Sequence, residues 1–181
     1  MTPASQQSVE FAVSPAVLYE LYMDSKKRSQ ATGAPAKLSR RSGGALTAFG
    51  GQLKGKNLLL LTNKMIVQTW RASQWKKSDP DSILVIQFSK TKTGARVDLV
   101  HSGVPEYDHQ GVTEGWEQYY WQPWRDHLAA EWKAERRRKR KRWGATRPPC
   151  QCSKNGQAGA SDELRVRRIG GTFTADRLRN M

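Results

Sequence analysis

The chain has 181 residues, 37% of them hydrophobic, and carries 31 Lys and Arg against 16 Asp and Glu, a formal net charge of +15. The charge is uneven: residues 1–132 are net +4 and residues 133–181 net +11, so a mildly basic domain precedes a strongly basic extension. No apolar run approaches the roughly 18 to 20 residues of a membrane span, Met1 to Ser8 lacks the basic-then-apolar pattern of a secretion signal, and both cysteines, Cys150 and Cys152, lie in the extension, so a disulfide-free fold in the cytoplasm is expected.

The first predicted element is a strand over 8–13, Ser-Val-Glu-Phe-Ala-Val, from its alternation. Ser14 and Pro15 then read as an N-cap and a first-turn proline. They open a helix over 15–24 with Val17, Leu18, Leu21 and Tyr22 on its apolar side. A second short, basic turn over 25–32 stops at Gly33. Strands follow near 35–40, 45–50, 53–61, 64–73, 82–91 and 95–102. The turns between them fall at Gly43-Gly44, Gly50-Gly51, Thr62-Asn63, Ser78–Asp81 and Thr93-Gly94. Short turns between consecutive strands imply an antiparallel meander. A loop runs to Gly111, and one long helix is then expected. Val112, Trp116, Tyr120, Trp124, Leu128 and Trp132 recur at every fourth position, and Tyr119 and His127 widen the stripe. Pro123 lies inside it, cannot donate to the Tyr119 carbonyl, and should bend it. The helix is expected to continue through Lys133 to Arg142 and to fail by Pro148-Pro149.

An antiparallel sheet with one apolar face needs a cover, and the last helix is the only predicted element long and apolar enough. A twisted sheet curls, so it can wrap that helix and leave a cavity between the two layers. The expected divisions are a flexible N-terminus at 1–7, a domain at 8–132, a basic helical extension at 133–143 and a disordered basic tail at 144–181.

Several phrases resemble a known family. They are Val13-Ser14-Pro15-Ala16-Val17-Leu18-Tyr19, Thr32-Gly33-Ala34-Pro35-Ala36, the glycines Gly43-Gly44, Gly50-Gly51 and Gly55, and Lys64-Met65-Ile66-Val67-Gln68-Thr69-Trp70-Arg71 followed by Trp75. His101-Ser102-Gly103-Val104-Pro105 and Gly115-Trp116 with Tyr119-Tyr120-Trp121-Gln122-Pro123 complete the set. In this order they resemble the activator of heat-shock-protein-90 ATPase homologue family, within the START-like SRPBCC superfamily, over residues 8–130. The resemblance implies an α+β helix-grip fold: a curved antiparallel sheet around a long C-terminal helix, with two short helices after the first strand. It also implies a choice of roles. Superfamily members bind apolar ligands, some are cyclases or hydrolases, and some act as co-chaperones. One fold hosts many functions.

Alternation places Ile66, Gln68 and Trp70 on the inner face of one strand, Leu84, Ile86 and Phe88 on the next, and Val97, Leu99 and His101 on the last. Trp116, Tyr120 and Trp124 face them from the helix. Asn57, Gln68, His101 and the Tyr120 hydroxyl are polar groups that either orient a ligand or are satisfied within the core. The leading expectation is a non-catalytic domain that binds an apolar small molecule; a chaperone or other protein partner is the alternative, and an enzyme of the cyclase or hydrolase type ranks below both. No nucleophile elbow or phosphate-binding glycine loop is present. Glu106, Asp108 and His109 cluster in the loop before the last helix; they read as a solvated loop, ahead of a metal site or a gate at a cavity mouth. Cys150-Gln151-Cys152 supplies too few thiols for a tetrahedral zinc site, and no metal or cofactor is expected. Arg136-Arg137-Arg138-Lys139-Arg140-Lys141-Arg142 is a run of consecutive cations. It reads as an arm for nucleic acid or another anionic surface, as a solvated helix end, or as text from another reading frame of GC-rich DNA.

Overall fold

The computed structural model describes residues 3–144. The expectations for Cys150, Cys152 and the tail beyond Gly144 lie outside those residues. The elements are β1 (Ser5–Phe11), α1 (Pro15–Met23), α2 (Ser25–Thr32), β2 (Ala36–Leu38), β3 (Ala45–Ala48), β4 (Leu53–Leu61), β5 (Met65–Ala72), β6 (Ser82–Lys90), β7 (Ala95–Ser102), α3 (His109–Trp116) and α4 (Gln122–Gly144). A π-helical segment, Glu117–Trp121, joins α3 to α4. The strands form one antiparallel sheet in the order β1-β7-β6-β5-β4-β3-β2. β2 to β7 are the expected meander, and β1 closes the order by pairing with the last strand. Residues 5–7 therefore belong to the sheet rather than to a flexible N-terminus: Ser5, Gln6 and Gln7 pair with His101, Val100 and Leu99.

Local chemistry sets the boundaries. Ser14 precedes α1 with extended backbone, but its hydroxyl makes no capping bond; its carbonyl accepts from Val17 and Leu18 instead. The Asp24 carboxylate caps α2 by accepting from the Lys27 amide at 2.8 Å. Gly33 ends α2 in the left-handed region at φ 70°, as expected. On α1, Val17 is exposed and Tyr19 is buried in its place.

β4 and β5 approach each other closely at Gly55. A Cβ at Gly55 would lie 2.0 Å from the Thr69 carbonyl oxygen, so only glycine permits this approach. Two residues further on, a register shift between Asn57 and Leu59 inserts Leu58 as an extra residue. The bulge explains how four consecutive leucines sit in one strand. Leu58, Leu59 and Leu61 are exposed while Leu60 turns inward opposite Ile66.

The final rod lies against the concave face. Trp116 packs on His101, which packs on Trp70. Trp121 and Trp124 meet Phe11, and Trp124 also meets Tyr22. The rod starts at His109, earlier than expected, after a 3-10 turn at Glu106–Asp108. Pro123 acts on the turn before it: the Gln122 amide donates to the Glu117 carbonyl, five residues back. This extra residue rotates the buried face. Trp121, outside the period-four stripe, becomes 1% exposed, and Tyr119, expected on the stripe, is 50% exposed. Trp132 lies beyond the sheet and is likewise exposed.

Candidate functional site

Alternation along the strands puts the predicted inner residues where expected. Ile66, Gln68, Trp70, Leu84, Ile86, Phe88, Val97, Leu99 and His101 are all buried, as are Asn57, Trp116, Tyr120 and Trp124. The polar members find partners within the fold. Tyr22 donates its hydroxyl to Gln68 Oε1 at 2.7 Å. Gln68 Nε2 donates to Asn57 Oδ1 at 2.7 Å, and Asn57 Nδ2 donates to the carbonyls of Ser39 and Arg41. This chain pins the β2–β3 turn to the sheet, and it uses the Asn57 and Gln68 groups otherwise available to a ligand.

His101 is spoken for as well. Trp116 Nε1 donates to His101 Nδ1 at 3.3 Å, so Nε2 carries the ring proton toward Ser82 Oγ, 2.8 Å away. The Ser82 hydroxyl in turn donates to the Trp70 carbonyl at 2.7 Å. A serine beside a histidine is the start of a nucleophile dyad, but this one runs the wrong way. The serine proton points at a backbone carbonyl, and an indole occupies the nitrogen that a carboxylate would hold. Burial, with a smaller push from His109, holds the imidazole down at about 4, so it is neutral at physiological pH.

The space left open lies at one end of the sheet. A cleft of about 340 Å³ separates the rod from the β3–β4–β5 corner. Trp70 and Ala72 of β5 and Leu53 of β4 form its floor. Val112, Trp116, Tyr119 and Tyr120 form the opposite wall, and Phe49 stands at one side. Gln52, Gln74 and Asp108 are its polar groups. Asp108 accepts from Trp75 Nε1 at 2.6 Å and from Gln74 Nε2 at 3.3 Å. The Trp70 indole nitrogen is buried without a hydrogen-bond partner among the described residues. Of the thirteen inner residues expected to contact a ligand, Trp70, Trp116 and Tyr120 line this cleft; Asn57, Ile66, Gln68, Leu84, Ile86, Phe88, Val97, Leu99, His101 and Trp124 do not. Phe49, Asp108 and Gln74 were not predicted as ligand contacts. Only the Glu106–His109 cluster, for which a gate at a cavity mouth was one of the alternatives, pointed there, through Asp108. A second depression of about 460 Å³ lies between the end of β1 and α4, beside Leu128 and Trp132.

The cationic run is exposed along the end of α4. Arg136 lies over the Trp132 ring, 4.6 Å from its centroid, and Lys139 pairs with Glu135 at 2.7 Å. No helix among the described residues is long and apolar enough to cross a membrane.

A curled antiparallel sheet clasping a terminal helical rod, with a cleft open at one end, defines a helix-grip domain of the START-like class. The family model described as Activator of Hsp90 ATPase homolog 1-like protein matches residues 12–123, and the chain belongs to that family. The Activator of 90 kDa heat shock protein ATPase homolog of Dictyostelium discoideum is 28% identical over 107 residues, 59% of this chain and 28% of that protein. The human Activator of 90 kDa heat shock protein ATPase homolog 1 is 26% identical over 112 residues, 62% of this chain and 33% of that protein. The chain thus spans about a third of the length of these curated relatives. The crystal structure of an HSP90 activator from Plasmodium falciparum superposes with a TM-score of 0.65 at 21% identity, covering 71% of this chain and 97% of that one.

Proposed function

We propose that the domain is a non-catalytic binding module that takes an apolar small molecule into the cleft between the rod and the β3–β4–β5 corner. The observation that carries this reading is the cleft itself: about 340 Å³, walled by aromatic and aliphatic side chains, with a few polar groups at one side. The internally satisfied Ser82–His101 pair speaks against hydrolysis at that position.

Titration with 1-decanol, followed by tryptophan fluorescence from Trp70 and Trp116, tests the reading. Saturable quenching or enhancement is expected. Gly115 lines the cleft, and a Cβ there meets only the Tyr119 ring at an ordinary 3.5 Å. Gly115→Leu should therefore fill the space, abolish decanol binding and leave the fold intact. Unchanged binding by that variant would place the ligand elsewhere.

A second reading is a chaperone-associated module. Two observations favour it: the relatives are named as activators of a 90 kDa heat shock protein ATPase, and the outer face of the sheet carries an aliphatic row. Leu59, Val67, Val85 and Val100 are register neighbours across four strands, flanked by Leu61 and Ile83, with Lys54, Lys56 and Arg71 nearby on the same strands. Val67→Asp should weaken binding to a 90 kDa heat shock protein in a pull-down and leave decanol binding unchanged. Gly115→Leu should do the reverse.

A further inference from the structure

Arg28 is the most anomalous side chain in the fold. It sits on α2 at 0% exposure. One guanidinium nitrogen, Nη2, donates to the Tyr120 hydroxyl. Nε and Nη1 have no partner in hydrogen-bond geometry among the described residues, although the Tyr22 hydroxyl is near enough to stabilise the charge, and no carboxylate among them forms an ion pair with it. The guanidinium lies 4.2 Å from the Tyr22 ring centroid and 5.2 Å from that of Tyr120. Those rings attract a cation, but they do not replace the hydrogen bonds that water gave up. Arginine does not shed its charge in a protein. A buried cation with unused donors is costly to hold, and folding alone gives no reason to keep it.

Tyr120 links this cation to the cleft. Its ring lines the cleft wall while its hydroxyl reaches Arg28. Phe49 packs edge-on against the same ring, 5.7 Å between centroids, and against Tyr119 at 5.8 Å. Phe49 has φ 51°, in the left-handed region that side chains disfavour, and Gly50 and Gly51 follow at φ 65° and 94°. A non-glycine residue held there is strained, and neither glycine has anything within 4 Å of a Cβ position. The turn is therefore a strained segment at the side of the cleft toward Tyr120, held by the Gly50 amide on the Pro35 carbonyl and the Gln52 amide on the Phe49 carbonyl, both at 3.3 Å.

Resting on the small-molecule reading above, we infer that the ligand is an amphipathic carboxylic acid. Its apolar body lies against Trp70 and Trp116, and its carboxylate meets the free donors of Arg28 once Phe49 swings aside. A carboxylate supplies the missing charge and two acceptors in the planar geometry that a guanidinium fork matches. Asp108 at the rim repels a carboxylate lodged there and so favours the head-inward orientation.

The test compares sodium decanoate with 1-decanol on the full chain at neutral pH by isothermal titration calorimetry. Decanoate should bind about tenfold or more tightly than decanol, the difference expected for charge-assisted hydrogen bonds. Arg28→Met should erase that difference while decanol still binds, and the melting temperature of the unliganded variant should not fall. The Arg28 Nε–H resonance should move on adding decanoate and stay in place with decanol, a measurement that needs no variant. Equal affinities for acid and alcohol, or an Arg28 signal indifferent to decanoate, would overturn the headgroup assignment and leave the cleft reading standing. Binding of neither compound would overturn the cleft reading itself.

Discussion

At the scale of single residues, the polar groups of the inner face show how much a period can say. Alternation puts Gln68, Asn57 and His101 inside, and they are inside. It cannot say what satisfies them, because the partners come from distant turns and from the rod: the Ser39 and Arg41 carbonyls for Asn57, the Trp116 indole for His101. Arg28 is the opposite case. A basic residue on a short basic helix gives no sign that it is buried, and only the packing of α2 against the rod reveals it. His101 makes a measurable prediction. In the unfolded chain its imidazole titrates near 6.5, and in the fold it is held at about 4. Between those values the unfolded chain takes up a proton that the folded chain does not. Stability should be flat in this group above about pH 6.5 and fall as pH drops toward 4, by roughly 3 kcal/mol in all. His101→Gln, which keeps an acceptor for Trp116, should flatten the urea-midpoint profile across that interval. An equally steep profile in the variant would assign the slope to other groups.

At the scale of elements, every strand of the meander and both small helices were legible, because alternation and glycine punctuation are local signals. The rod was legible as a helix and misread in detail. A strict four-residue repeat selects Tyr119 as a flank of the stripe and passes over Trp121. The π-helical turn before Pro123 adds one residue and exchanges the two. Proline removes a donor, and the turn before it widens rather than simply bending the axis. Trp121→Ala should therefore cost about 3–5 kcal/mol in urea unfolding, as for a buried tryptophan. Tyr119→Ala should cost well under that, since its ring is half exposed, while weakening decanol binding at the cleft wall. The reverse ranking of stabilities would mean that the rod keeps a regular α-helical phase in solution.

At the scale of the whole molecule, the layers were legible and the gap between them was not. Sheet curvature and the apolar rod predict a clasp, but where the clasp fails to close depends on how the side chains of both layers interdigitate. Ile66, Leu84, Ile86, Val97 and Leu99 fill the middle completely. The opening lies at the corner beside Leu53 and Trp70. The same rod then leaves the sheet and carries Arg136, Arg137, Arg138, Lys139, Arg140, Lys141 and Arg142 into solvent. Like charges on successive turns of one helix repel each other, and a polyanion relieves that strain. We propose that this run acts as an electrostatic arm independent of the cleft. Affinity of the full chain for a short single-stranded DNA should fall roughly 10³-fold between 50 and 200 mM salt if all seven cations displace counterions. Replacing Arg136, Arg137, Arg138 and Arg140 by glutamine should remove most of that affinity and more than half of the salt slope, with decanol binding untouched. A slope that survives those four substitutions would assign the contact to other basic residues of the chain.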